Sequence, residues 1–162
     1  MKTILKLLVI VFVLTGLNRV YAQEKKLVSG NSFTVGLPIG NMASTYDFGW
    51  GIYANIDYNL NSVLAARFDL GYNSFSGPDS ANPVTGLPEE VQQDVWEFTA
   101  GLRAKIAIVY VEARGGYFTG VSAWGVVPAI GLRLGKLDIQ GNLNIAGENH
   151  WYGARIGYYW GK

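Results

Sequence analysis

The sequence predicts an all-β protein, an eight-stranded antiparallel up-and-down transmembrane β-barrel. Three observations predict it: apolar and polar residues alternate in strand-length runs, short connections alternate with longer ones, and charge is scarce beside aromatic residues and glycine. Charged residues make up 15% of the chain, aromatics 14%, and glycines number 21. A soluble surface prefers roughly 25–35% charge. Beyond the N-terminal segment no stretch reaches about 18 consecutive apolar residues, which removes a helical span and leaves a closed barrel as the spanning solution.

Met1 to Ala22 has the order of a secretory signal peptide: Lys2 and Lys6, an apolar run from Leu7 to Leu17, then Val20-Tyr21-Ala22. The expected organisation is a signal peptide over 1–22, cleaved near Ala22, and one barrel domain over 23–162. Loss of Lys2, Lys6 and Arg19 takes the 13 basic residues to 10 against 12 acidic ones. No basic excess argues for nucleic acid. With no cysteine there is neither a disulfide nor a thiol for lipid attachment.

Phe33, Val35, Leu37 and Ile39 open the alternation against Thr34, Gly36 and Pro38. Phe48 to Leu60 keeps a period of two over its whole length, with Trp50, Ile52, Ala54, Ile56 and Tyr58 on one face and Tyr53, Asn55 and Asp57 on the other. Leu64 to Asn73 follows after a turn at Asn61-Ser62, the signature of a hairpin. Trp96 to Ala104, Val109 to Gly115, Val126 to Leu134, Leu137 to Ile145 and Tyr152 to Trp160 complete eight. Short turns are expected at Asn61-Ser62, Lys105-Ile106 and Gly135-Lys136, and longer loops at 41–47, 76–94, 119–123 and 146–150. Outer-membrane barrels pair short periplasmic turns with longer external loops, which puts both termini in the periplasm. Pro38 is placed near the outer end of its strand and Pro128 at a β-bulge.

Alternation alone does not separate a membrane barrel from a soluble one, because both read apolar, polar, apolar. The make-up of the polar face does. Arg67, Arg103, Arg114, Arg133 and Arg155 share it with Asp57, Asp69, Glu97, Glu112 and Asp138, a balanced set suited to a crowded, ion-paired interior. Lys25, Lys26, Lys105, Lys136 and Lys162 fall at the expected periplasmic end, whereas Asp47, Asp79, Glu89, Glu90, Asp94 and Glu148 fall in the long loops. Phe48, Trp50, Tyr72, Trp96, Phe98, Tyr117, Trp124 and Tyr152 near the long loops, with Phe33, Tyr58, Tyr158 and Trp160 near the short turns, form two aromatic girdles.

Gly36-Leu37-Pro38-Ile39-Gly40-Asn41, Phe48-Gly49-Trp50-Gly51, Leu70-Gly71-Tyr72, Tyr110-Val111-Glu112-Ala113 and Pro128-Ala129-Ile130-Gly131-Leu132-Arg133 resemble, in their order, the small outer-membrane β-barrel domain proteins of Gram-negative bacteria, of the OmpX and OmpA-barrel size class. The closing Arg155-Ile156-Gly157-Tyr158-Tyr159-Trp160 looks like the signal read by barrel-assembly machinery, carried here by Gly157, Tyr158 and Trp160. The family often ends on an aromatic residue, whereas Gly161-Lys162 follow Trp160 here, a departure that leaves the register of that signal open. The resemblance implies outer-membrane lipids and the assembly machinery as partners.

A few such barrels edit lipid acyl chains, which requires a nucleophile and a base near the outer rim. His150 is the sole histidine; Ser74, Ser76, Ser80, Ser122 and Glu148 share its end, with no adjacent His and Ser pair. Gly36 to Gly40 and Gly115-Gly116 lack the ending of a phosphate loop, and scattered acids with one histidine give no metal-ligand spacing. Eight strands enclose just enough space for side chains, so no general pore is expected. The expected protein is a monomer without enzymatic activity, cofactor or nucleic-acid partner, with a structural or surface-interaction role and room for an extracellular ligand at its loops, above all at 76–94. A soluble periplasmic barrel binding an apolar ligand and an outer-membrane lipid-modifying enzyme stand as alternatives.

Overall fold

In the computed structural model, the described residues are 27–81 and 88–160, of which 79–81 and 88–90 are described as backbone only. The expected signal peptide over 1–22 and the residues Lys25, Lys26 and Lys162 lie outside them. The strands are β1 (Leu27–Ile39), β2 (Phe48–Asn59), β3 (Leu64–Ala81), β4 (Pro88–Ile106), β5 (Val109–Phe118), β6 (Ala123–Leu134), β7 (Leu137–Ala146) and β8 (Asn149–Tyr159). Each pairs antiparallel with its chain neighbours, and β1 closes on β8, giving the eight-stranded up-and-down barrel that the alternation predicts. Closure removes every free edge along the barrel wall. One end carries the turns after β2, β4 and β6 and is called the short-turn end. The other, the hairpin end, carries residues 40–47, including a 3-10 turn over Gly40–Ser44.

The period of two becomes an inside and an outside. In β2 the residues from Phe48 to Asn59 alternate strictly between exposed and buried. Phe48, Trp50, Ile52, Ile56 and Tyr58 are exposed, while Tyr53, Asn55 and Asp57 are buried. A soluble carrier needs the reverse, an apolar interior and a polar outside, so that alternative has the two faces interchanged.

Several local expectations are corrected. β1 begins at Leu27, so Phe33 pairs with Ile52 and Ile156 at mid-strand instead of near the short turns. Lys105 and Ile106 belong to β4, and the turn is Ala107-Ile108. The segment 76–94 is largely an extension of the β3–β4 ladder, which continues past a register shift between Ser76 and Asp79 to Ala81 opposite Pro88. β3 has 18 residues and β4 has 19, against 12 in β2 and 10 in β5, so this hairpin outruns its neighbours. The expected loop 146–150 shrinks to the two residues between Ala146 and Asn149. Pro128 causes no bulge: the β6–β7 register is the same before the gap, Val126 opposite Ile145, as after it, Ala129 opposite Asn142. Lacking an N–H, proline leaves the ladder interrupted without inserting a residue.

The turns explain why two strands join so closely. Gly135 and Gly147 open their two-residue connections at φ 63° and 61°, where glycine carries no steric cost. Ala107 occupies the same place in its turn at φ 57°, and an L-residue pays there about 1–2 kcal/mol.

Candidate functional site

The barrel interior is filled in two layers. From the short-turn end to mid-height, inward positions of every strand supply charge or hydrogen-bonding groups, β1 through Ser32 and Thr34 and β6 through Arg133. Arg67, Arg103, Arg114 and Arg155 are buried, as are Asp57, Asp69, Glu97, Glu112 and Asp138; Arg133 retains 17% side-chain exposure. Asp57 receives Arg67 at 3.2 Å, Arg103 at 3.1 Å and Arg133 at 2.9 Å. Asp69 receives Arg67 at 2.9 Å, Arg155 at 2.6 Å and also Arg114. Glu112 joins Arg103 and Arg114, each at 2.8 Å, and Gln140 at 2.7 Å. Arg103 and Arg133 meet Asp138 at 3.3 and 3.0 Å, and Glu97 accepts from Arg114 at 3.3 Å and from the Tyr53 hydroxyl at 2.8 Å. Each of these five arginines thus faces at least one carboxylate from another strand. Desolvated charge is tolerated in that situation, because mutual attraction and hydrogen bonds offset lost hydration.

Three tyrosines stiffen this layer. Arg155 lies over the Tyr53 ring at 3.5 Å, Arg103 over Tyr110 at 3.8 Å and Arg133 over Tyr159 at 3.7 Å. Each ring also lies across a glycine directly opposite on the neighbouring strand: Tyr53 over Gly71, Tyr110 over Gly131, Tyr159 over Gly30. A Cβ at 71 or 131 would clash with the tyrosine that covers it. An inward aromatic side chain fits a narrow lumen by lying down on a residue without a side chain, where its face is free to meet a guanidinium.

The second layer closes the hairpin end and is apolar. Met42, Phe75, Val95, Phe118, Val127, Ala146 and Trp151 form one buried cluster, with Tyr46, Val121 and Ala123 packed against it. Trp151 meets Phe75 and Phe118 edge-on at 5.3 and 5.7 Å between ring centres. Sequence reasoning took the interior as polar throughout and missed this layer. The signal was present in the strand parity, since Phe75 continues the series Arg67, Asp69, Gly71, Asn73, and Trp151 precedes Gly153 and Arg155.

The remaining candidates are scattered. His150 shares a hydrogen bond with the Gly147 carbonyl at 3.0 Å; Ser74 Oγ accepts from Gln92 at 2.9 Å, and Ser122 Oγ donates to Thr119 O at 3.2 Å. Lys105 points inward at the short-turn end and donates to Asn59 at 2.6 Å. Gly157 faces the lumen at the end of β8, whereas Tyr158 and Trp160 point outward with ring centres 4.9 Å apart. The outward aromatics Trp50, Tyr72 and Trp96 form a chain, 5.9 and 5.2 Å between ring centres, toward the hairpin end.

No protein-family model and no curated protein sequence matches the chain. Among solved structures it is similar to the attachment invasion locus protein Ail of Yersinia pestis, in complex with the heparin analogue sucrose octasulfate, with a TM-score of 0.54 at 12% identity over 83% of this chain and 97% of that one. A second crystal structure of Ail gives a TM-score of 0.50 at 11% identity with the same coverage. The backbone structure of the outer membrane protein Ail in a phospholipid bilayer nanodisc gives 0.50 at 11% identity, over 82% of this chain and 99% of that one. The chain therefore has the fold of the small eight-stranded outer-membrane barrels, of which Ail is one.

Proposed function

We propose that this protein is an outer-membrane barrel with a structural or surface-interaction role, its short-turn end in the periplasm and its β3–β4 hairpin outside, and that it conducts no solutes in bulk. The observation that carries the reading is the inside-out distribution of polarity. Ion pairs fill the interior while Ile52, Phe68, Leu102, Val111, Ile130 and Ile156 stand exposed on the wall, a surface suited to lipid. The charged layer and the apolar layer above it together speak against a general pore, because both are filled by side chains. His150, Ser74 and Ser122 make hydrogen bonds to other groups, which favours a binding role over a hydrolytic one.

The external partner is left to the loops and the hairpin. Asp47, Asp94 and Glu148 lie at that end, and segments 40–47, 76–94, 119–123 and 146–150 contain neither lysine nor arginine, so the sulfated ligand seen with Ail is not carried over to this chain. In this reading Gly157, Tyr158 and Trp160 serve barrel assembly, and residues 1–22 serve export. Fractionation of cells combined with surface labelling of a cysteine introduced between 82 and 87 tests location and orientation together. Recovery with outer membranes, labelling in whole cells and heat-modifiable migration on gels are expected. Recovery in the soluble fraction would overturn the proposal.

A further inference from the structure

The outer wall of the barrel is not uniform. A groove of about 850 Å³ runs across it, lined mostly by outward residues of β7, β8, β1, β2, β3 and β4. Its lower side is the directly paired row Leu137, Tyr158, Asn31, Ala54 and Leu70, and its upper side the paired row Ile156, Phe33, Ile52, Tyr72 and Trp96. Ala54 forms the floor, because a small side chain there leaves space between the larger ones on either side. Strands in such barrels tilt by about 35–45°, so a row of paired residues climbs diagonally, here from the short-turn end at Leu137 toward the aromatic residues near the hairpin. Five strands at about 4.8 Å spacing make a path of roughly 19 Å, enough for an acyl chain within one leaflet, whose share of the hydrocarbon core is about 15 Å.

The lower end of the groove is polar. Asn31 is exposed among apolar neighbours and makes no side-chain hydrogen bond among the described residues. Tyr158 lies directly opposite it, and the Lys136 ammonium stands 5.7 Å from the Tyr158 ring centre. A cation, an amide and a phenol at the level where a headgroup would sit, with an apolar channel leading away, complement a phosphate and its esterified chain. A second groove, of about 550 Å³ over Phe68, Ala100, Gly115 and Trp124, has no such polar end.

We propose that this groove is a binding site for one phospholipid of the periplasmic leaflet, its phosphate at Lys136 and Asn31 and one acyl chain against Ala54. The proposal rests on the membrane reading given above. Lipid retained in the groove would bridge β8, β1 and β2, the strands at which the barrel closes.

Native mass spectrometry of the full protein in detergent, titrated with phosphatidylglycerol, tests it. One lipid is expected to bind more tightly than the rest. Lys136→Gln, which removes the cation, should weaken that first binding step by about fivefold, the weight of one lysine near an anionic lipid, and Ala54→Leu, which fills the floor, should weaken it as well. Ala100→Leu, which fills the second groove, should leave it unchanged. Diacylglycerol, which lacks the phosphate, should bind weakly and without regard to Lys136. Equal binding by all variants, or equal loss in Ala100→Leu, would overturn the site and leave only a non-specific lipid coat. Failure of the membrane reading is distinguishable, because the protein would then lack heat-modifiable migration and would not require detergent.

Discussion

Tyr53 lies across Gly71, its directly paired neighbour, and occupies the space in which a Cβ at position 71 would stand. From there its hydroxyl donates to Glu97 at 2.8 Å, and Arg155 packs over its ring. One missing side chain on β3 thus permits a tyrosine of β2, a carboxylate of β4 and an arginine of β8 to meet in the lumen.

Gly71→Ala is expected to cost about 1–3 kcal/mol, the usual range for overpacking. Urea unfolding in lipid vesicles measures it. In a Tyr53→Ala background the same change should cost almost nothing, because the two residues compete for one space. Fully additive losses would contradict that competition.

Arg114 contacts Asp69, Glu97 at 3.3 Å and Glu112 at 2.8 Å, all of them buried. Arg114→Ala should lower stability by about 3–5 kcal/mol, because it leaves carboxylates buried without their partner. The loss should change little with salt, since ions do not screen a buried pair effectively. Unchanged thermal stability would place this strand in a different register.

Ala107 is the non-glycine residue that opens a two-residue turn with positive φ. Ala107→Gly should therefore stabilise the barrel by about 0.5–1 kcal/mol, the relief of left-handed strain less the added entropy of the unfolded chain. Equilibrium unfolding checks the sign. A loss of stability would mean that the turn has a different backbone conformation.

Trp151→Ala removes the centre of the apolar layer, a change expected to cost about 3–5 kcal/mol. Vesicles containing this variant should remain tight to small ions, because the arginine and carboxylate layer beneath still fills the lumen. Planar-bilayer conductance checks this. Currents like those of an open channel would show that the apolar layer, and not the charged one, holds the barrel closed.

Much of the fold was legible in the sequence because a strand repeats every two residues, and a barrel converts that repeat directly into inside and outside. Asp57, Arg67 and Arg103 could be assigned to one face without coordinates. Strand ends were harder. Gly77 allows β3 to continue past the rim, since a Cβ there would meet the Thr45 carbonyl, and nothing local distinguishes that hairpin from a loop. Pro128 was ambiguous for a similar reason: lacking a donor is compatible with a bulge or with a plain gap, and only the register of β7 selects the gap.

The sequence by itself determined the number of strands, their two faces and the balance of charge on one of them, because these depend on spacing along the chain. Only the tertiary structure decided which arginine meets which carboxylate, that rings of Tyr53, Tyr110 and Tyr159 lie on glycines, and that an apolar layer closes the hairpin end. Those relationships join residues dozens of positions apart, and they follow from the register and closure of the barrel.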